Sequence, residues 1–214
     1  MSDIGAELQA SELAGISRCD VALAVAVAAC QRLAPLAAAV LGDRPPEPAE
    51  TCTELWAAVE SMGDGSATRR PHLAGLRAAA RAALDDIAQS GGPLGWLPTA
   101  WLIAVLYAAD HAEQGDPALV ALAVGQASEA VEAWSERWMH CRGLDWSSPE
   151  WRAEKYSFDV VVAEAGWQRI DLAMARLDTV PPAERIATLR TRARHAGAWL
   201  AERLEEFRRE CPDQ

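Results

Sequence analysis

Lysine is nearly missing from this sequence: Lys155 stands alone beside 19 arginines. Phenylalanine and tyrosine occur only twice each, although there are nine tryptophans. Positive charge is outweighed, and the net charge of −11 opposes nucleic-acid binding, whose sequence-independent part comes from Lys and Arg neutralising phosphates. Period-two alternation is absent, which excludes a half-buried sheet. Long apolar runs are absent too. The most apolar stretch, VALAVAVAAC (Val21 to Cys30), gives way to Gln31, Arg32 and Pro35. A spanning helix needs about twenty apolar residues, so no membrane span is expected and this segment reads as a core helix.

The N-terminus, MSDIGAELQASELAG, lacks the basic region and apolar core of a signal peptide. Five cysteines (Cys19, Cys30, Cys52, Cys141, Cys211) include no CxxC pair and are odd in number. They read as reduced thiols of a cytoplasmic protein. Catalytic signatures are missing as well: there is no G-x-x-x-x-G-K-[ST], H-E-x-x-H or G-x-G-x-x-G, and GDGSA is not a nucleophile elbow. One basic run exists, RIATLRTRARH, with Arg185, Arg190, Arg192, Arg194 and His195. Glu202, Glu205 and Glu206 dilute it, and it reads as a solvated helix face.

What the sequence has is alanine, 45 residues of it. Together with the preference for arginine over lysine, this points to a GC-rich bacterial genome. Half the residues are apolar and a quarter charged, a globular balance, and 214 residues suit one domain. Apolar residues recur at three- and four-residue steps, and Ala and Leu favour helix. The expectation is therefore an all-α fold: residues 1–214 as a single compact bundle of about seven helices, with 1–16 a flexible lead or a short helix.

Punctuation sets the helices. The first starts near Asp20, read as its N-cap, and runs to Leu41, with Pro35 expected to kink it. CTELWAAVES follows, then MGDGSATRRP as the longest polar connection. HLAGLRAAARAALDDIAQS puts Leu73, Leu76, Ala80, Ala83, Leu84 and Ile87 on one side. TAWLIAVLYAADHAEQG is apolar nearly all round and is expected at the centre of the bundle. Asp116-Pro117 and Ser148-Pro149 are cap-and-start pairs, and Gly143 is a stop signal. SSPEWRAEKYSFDVVVAEAGWQRIDLAMARLD reads as one helix, in which tertiary context overrides the β preference of Val160 to Val162. A last amphipathic helix follows Pro181 and Pro182.

The stretch AWSERWMHCRGLDW (Ala133 to Trp146) raises the question of chemistry. At helical spacing Ala127, Val131, Trp134, Trp138 and Cys141 form one apolar face, a buried seam whose indole N–H groups need partners. Glu129, Glu132, Glu136 and His140 form a polar face, with Glu136 and His140 one turn apart and able to pair. Glu132, Glu136 and His140 could be joined by Asp110 and His111 as metal ligands. The Glu-x-x-His of di-iron bundles does not occur, however, and no metal and no cofactor are expected. Asp110-His111 is the best acid/base candidate, at the end of an apolar helix where burial shifts pKa values, against the plainer reading of a hydrogen-bonded structural histidine. His72, His140 and His195 stand apart from it in sequence.

AVAACQRLAPLAAAVLG, then TELWAAVES, then SPEWRAEKYSFDVVVAEAGWQRIDLAMARL resemble, in the same order, the YjaG family of bacterial all-helical proteins. Cys30, Arg32, Pro35 and Trp56 carry most of the likeness, which spans about Ala22 to Leu177. The resemblance implies an all-helical fold and transfers no catalytic residue. Two functional classes follow from the residues. The first is a non-catalytic, acidic, cytoplasmic interaction protein, of the immunity or accessory kind, whose partner carries a basic surface. The second is a small-molecule-binding protein or metal-independent enzyme, with a pocket lined by Trp101, Trp134 and Trp138 and with Asp110 and His111 at its polar mouth.

Overall fold

The computed structural model describes residues 13, 15–42, 44–63, 73–90, 94–144 and 147–212. His72, Trp146, most of 1–16 and most of the MGDGSATRRP connection lie outside the described residues. Among the described residues there are eight helices and no strand. They are α1 Cys19–Leu41, α2 Pro48–Gly63, α3 Ala74–Ser90 and α4 Trp96–Gln114. They continue with α5 Pro117–Cys141, α6 Pro149–Ser157, α7 Asp159–Ala175 and α8 Pro182–Glu210. One hydrophobic core runs through them.

The central helix is α1 rather than α4, because α1 packs against α2, α4, α5, α7 and α8. Val21 to Cys30 are almost wholly buried. Its length and composition would suit a bilayer, and here protein covers it instead. Its N-cap is Arg18, not Asp20. Asp20 sits buried in the first turn, an acid at the positive end of the helix dipole, and accepts two hydrogen bonds from Arg18 at 2.9 and 2.7 Å.

Pro35 stands inside α1, and the helix continues through it. Proline lacks the N–H that would bind the carbonyl four residues back, which is that of Gln31. At this point α8 comes closest. A Cβ built on Gly197 would lie 3.0 Å from the Gln31 carbonyl oxygen and 3.4 Å from that of Arg32. Glycine therefore sets the α1–α8 spacing. Gly197→Ala is expected to cost about 1–3 kcal/mol, because two packed backbones must part. Urea unfolding checks this, and a cost under about 0.5 kcal/mol, the range of surface substitutions, would mean the helices are not held this tightly.

The helix starts follow their caps. The Asp116 carboxylate accepts from the Ala118 N–H at 2.9 Å, with Pro117 next in the chain. The Ser148 hydroxyl accepts from the Trp151 N–H at 3.1 Å. Gly143, at φ +79°, follows the end of α5 in the left-handed conformation that glycine tolerates. The segment read as one helix after Ser148 is two. Phe158 breaks it with extended backbone (φ −61°, ψ 129°). Its buried ring packs edge-on against Trp138 at 5.3 Å, and α7 restarts at Asp159. Burial of one ring outweighs continuous helical periodicity here.

The cysteines depart from the all-reduced reading. Cys141, at the end of α5, is disulfide-bonded to Cys211, just past α8. The partners are 70 residues apart, so no local spacing announces the bond; the antiparallel return of α8 makes it. Closing such a loop contributes about 2–4 kcal/mol. Of the free thiols, Cys19 is exposed while Cys30 and Cys52 are buried. Burial pushes Cys52 up to about 12 and drives Cys30 well above its ordinary value. Thiolate is the reactive form, so iodoacetamide at pH 8 should label Cys19 alone in the native protein. Denaturant without reductant should expose three thiols. Dithiothreitol should lower the urea midpoint. Native labelling at Cys30 or Cys52, or a fourth and fifth thiol before reduction, would contradict this arrangement.

Candidate functional site

The seam predicted on α5 forms. Trp134 and Trp138 are fully buried and stack at 5.8 Å between centroids, with Phe207 of α8 edge-on to both, 6.3 Å from Trp134 and 5.8 Å from Trp138. The guanidinium groups of Arg142 and Arg203 lie 5.2 and 5.0 Å from the Trp138 centroid, within cation–π range. The Trp138 indole donates to Glu210 at 2.6 Å, and Arg142 donates to the same carboxylate. Hydrogen bonds from Arg142 and Trp138 hold the Glu210 carboxyl below its ordinary pKa. The indole N–H groups of Trp134 and Trp101 find no acceptor among the described residues.

The polar face of α5 is organised by a residue from another helix. Lys155 of α6 donates to Glu136 at 2.6 Å and pairs with Glu132 at 3.4 Å. Glu136 therefore pairs with Lys155 rather than His140, which is exposed. Among the described residues no three His, Cys, Asp or Glu side chains converge as metal ligands would.

Asp110 and His111 diverge from each other and from the tryptophans. Arg77 of α3 binds Asp110 at 3.2 Å and also binds Glu113. His111 is buried, with Nδ1 donating to the Asp116 carbonyl at 2.7 Å and Nε2 3.4 Å from the Cys19 carbonyl. These contacts fix the α4–α5 turn to the start of α1. Trp134 lies 17 residues into α5 from Pro117, about 26 Å along the axis. Trp101 lies ten residues back along α4, about 15 Å from His111 by the same rise. The structure thus brings Trp134 and Trp138 together and leaves Asp110 and His111 at the far end of α5. The basic run of α8 is only partly a solvated face: buried Arg185 donates to the Ala175 carbonyl at 2.7 Å, Arg190 pairs with Glu60 and Arg192 with Asp171. Arg194 and His195 are exposed.

The feature that sequence reasoning missed is on α7. Glu164, Gln168 and Asp171, at steps of four and three, share one helix face, and that face is turned inward. Arg32 meets it from α1. Its guanidinium binds Glu164 through two donors at 2.8 and 3.0 Å and Asp171 through a third at 2.6 Å, all three side chains at most 2% exposed. Gln168 donates to Glu164 at 2.9 Å and to Ser128 of α5 at 2.8 Å. Arg192 of α8 donates to Asp171 at 3.2 Å. Burial alone would lower the Arg32 pKa. Glu164 and Asp171 outweigh it and hold Arg32 above its ordinary value. A signal was present in the sequence: Arg32 is embedded in an otherwise apolar helix, and a buried cation demands acids.

With Glu164 and Asp171 inside beside Val160, Val161 and Leu172, other aliphatic residues of this segment are left outside. Val162, Ile170 and Leu177 are exposed, at 52, 47 and 43%. Val162 and Ile170 lie about two turns apart on α7, and Leu177 lies two residues past its end. Gly166 and Ala173, small residues, lie between them. Leu122, on the adjacent α5, is also exposed. Scattered surface aliphatics need no explanation, but Val162 and Ile170 lie on one helix, Leu177 just past its end and Leu122 on its packing neighbour. The arrangement suits docking and offers no nucleophile.

Comparison with known protein families, with curated proteins and with solved structures finds no match for this chain.

Proposed function

We propose that this is a non-catalytic interaction protein, of the immunity or accessory kind, whose α5–α7 face docks on a basic protein. The observation that carries the reading is the exposure of Val162 and Ile170 on α7, with Leu177 just past its end, on a helix that buries Glu164, Gln168 and Asp171 beside Val160, Val161 and Leu172. An apolar stripe of this kind supplies contact area. The net charge of −11 supplies steering toward a basic surface, which is why a basic protein is favoured over a second copy of this acidic chain. The same charge disfavours nucleic acid, and α1 is occupied as a core helix, so no membrane partner is proposed.

The YjaG resemblance is kept as a proposal. It rests on the quoted segments alone, of which Arg32 belongs to the first. A cytoplasmic location is proposed from the three free thiols, while the Cys141–Cys211 bond suits an oxidising compartment. Partial redox titration of that bond against glutathione would decide it.

The test uses the wild-type chain and a Val162→Asp/Ile170→Asp variant, first in light scattering and then in capture from cells that make the protein. A captured basic protein is to be purified and recombined. The expected result is a salt-sensitive complex with wild type and none with the variant, while both chains stay monomeric alone. A wild-type homodimer abolished by the variant would assign the stripe to a second copy. A reconstituted complex indifferent to the two substitutions would place the interface elsewhere. Either outcome ends the proposal.

A further inference from the structure

The α8 residues Ile186, Ala187, Arg190, Thr191 and Arg194 follow helical steps along one side of that helix and line a half-open cavity of about 560 Å³ bordered by the start of α1 and the end of α2. That volume lies in the range of small-molecule sites. None of the α7 stripe residues lines the cavity, and its reading is independent of theirs. Val59, Ile186 and Ala187 give it an apolar wall, and charged groups ring the rest. Three cations face two acids there. Asp20 engages Arg18 at 2.7 Å and Glu60 engages Arg190 at 2.8 Å. Arg194 has no ion pair among the described residues. A chain of net charge −11 thus keeps one unneutralised guanidinium on the wall of a pocket-sized space.

We infer that this cavity binds a small organic monocarboxylate, its carboxylate on Arg194 and its apolar body along Val59, Ile186 and Ala187. The charge count selects a monoanion, since one cation is in excess. The planar guanidinium fork matches a carboxylate with two parallel hydrogen bonds, and the Thr191 hydroxyl is a further donor one turn away. The apolar wall selects a ligand with a hydrocarbon part over a bare inorganic ion.

Trp56 supplies a local reporter. Its indole N–H donates to Gln31 at 3.2 Å, and the Arg190 guanidinium lies 5.5 Å from its ring centroid. The experiment titrates hexanoate into nitrogen-15-labelled protein and follows the Trp56 indole resonance. Hexanol and inorganic phosphate are run as comparators, and the wild type is compared with Arg194→Gln. The exposed site makes Arg194→Gln a folding-neutral change, checked by its melting curve. A saturable shift is expected with hexanoate, none with hexanol, and weaker binding with phosphate. Arg194→Gln should weaken hexanoate by about tenfold or more, the loss of both parallel charge-assisted hydrogen bonds. No saturable shift, an equal response to hexanol, tighter binding of phosphate, or unchanged affinity in Arg194→Gln would each overturn the assignment.

Discussion

Arg32→Ala is expected to destabilise the protein by about 3–5 kcal/mol, measured by urea unfolding at neutral pH. The substitution removes the cation that faces Glu164 and Asp171 and leaves two carboxylates at 2% exposure. Removing one partner of a buried pair costs in that range because the survivor stays desolvated without compensation. Arg192 still touches Asp171 at 3.2 Å, so Glu164 bears most of the loss. The pair itself need not be a source of stability, since well-packed apolar replacements of buried ion pairs are often neutral. Arg32→Met with Glu164→Leu and Asp171→Asn should therefore recover most of what Arg32→Ala loses, the asparagine keeping an acceptor for Arg192. Failure of the triple variant to recover would mean the cluster is stabilising in its own right.

The tryptophan seam carries the other large effect. Trp138→Ala and Trp134→Ala are each expected to cost about 3–5 kcal/mol, the range for deleting a large buried ring and leaving a cavity. The two sites part under a smaller change. Trp138 donates to Glu210 and lies within 5.2 Å of two guanidinium groups, whereas the Trp134 indole N–H has no acceptor among the described residues. Phenylalanine keeps ring burial and gives up the donor. Trp138→Phe should therefore cost about 1 kcal/mol more than Trp134→Phe, the net worth of one hydrogen bond. Thermal melting of the four variants checks both statements. Equal losses in the two phenylalanine variants would show that the Glu210 contact contributes nothing.

How much of this was legible depended on whether the signal was local. Helix starts at Pro117 and Pro149 were readable because a cap acts over two or three residues, and the Trp134–Trp138 face because helical period is local too. The places that went otherwise are set by contacts distant in sequence. Phe158 breaks a periodic segment because Trp138 offers its ring a buried seat. Cys141 meets Cys211 across 70 residues. Glu136 finds Lys155 on another helix instead of His140 on its own.

On α7 the difficulty was of a different kind. Periodicity finds a helix but does not say which face is inward. Val162 and Ile170 carry the apolar signal that ordinarily marks the core side, yet the buried Arg32 draws Glu164, Gln168 and Asp171 in and rotates those aliphatics outward. The pocket expected near Asp110 and His111 rested on a related ambiguity. Both residues end an apolar helix, but each is held by local partners, Asp110 by Arg77 and His111 by the Asp116 carbonyl.

Whether α7 faces the way the account requires is best tested at two adjacent residues, Ile170 and Asp171, by the stability of Ile170→Asp and Asp171→Ile. Ordinary expectation favours adding an aliphatic and penalises adding a charge. With Asp171 at 2% exposure against Arg32 and Ile170 at 47%, the order reverses. Ile170→Asp should unfold within about 0.5 kcal/mol of wild type, as surface substitutions do. Asp171→Ile should lose about 3 kcal/mol by stripping a buried cation of a partner. A core-sized loss in Ile170→Asp, with Asp171→Ile as stable as wild type, would mean that Ile170 rather than Asp171 faces the core, and the proposed interface would not exist.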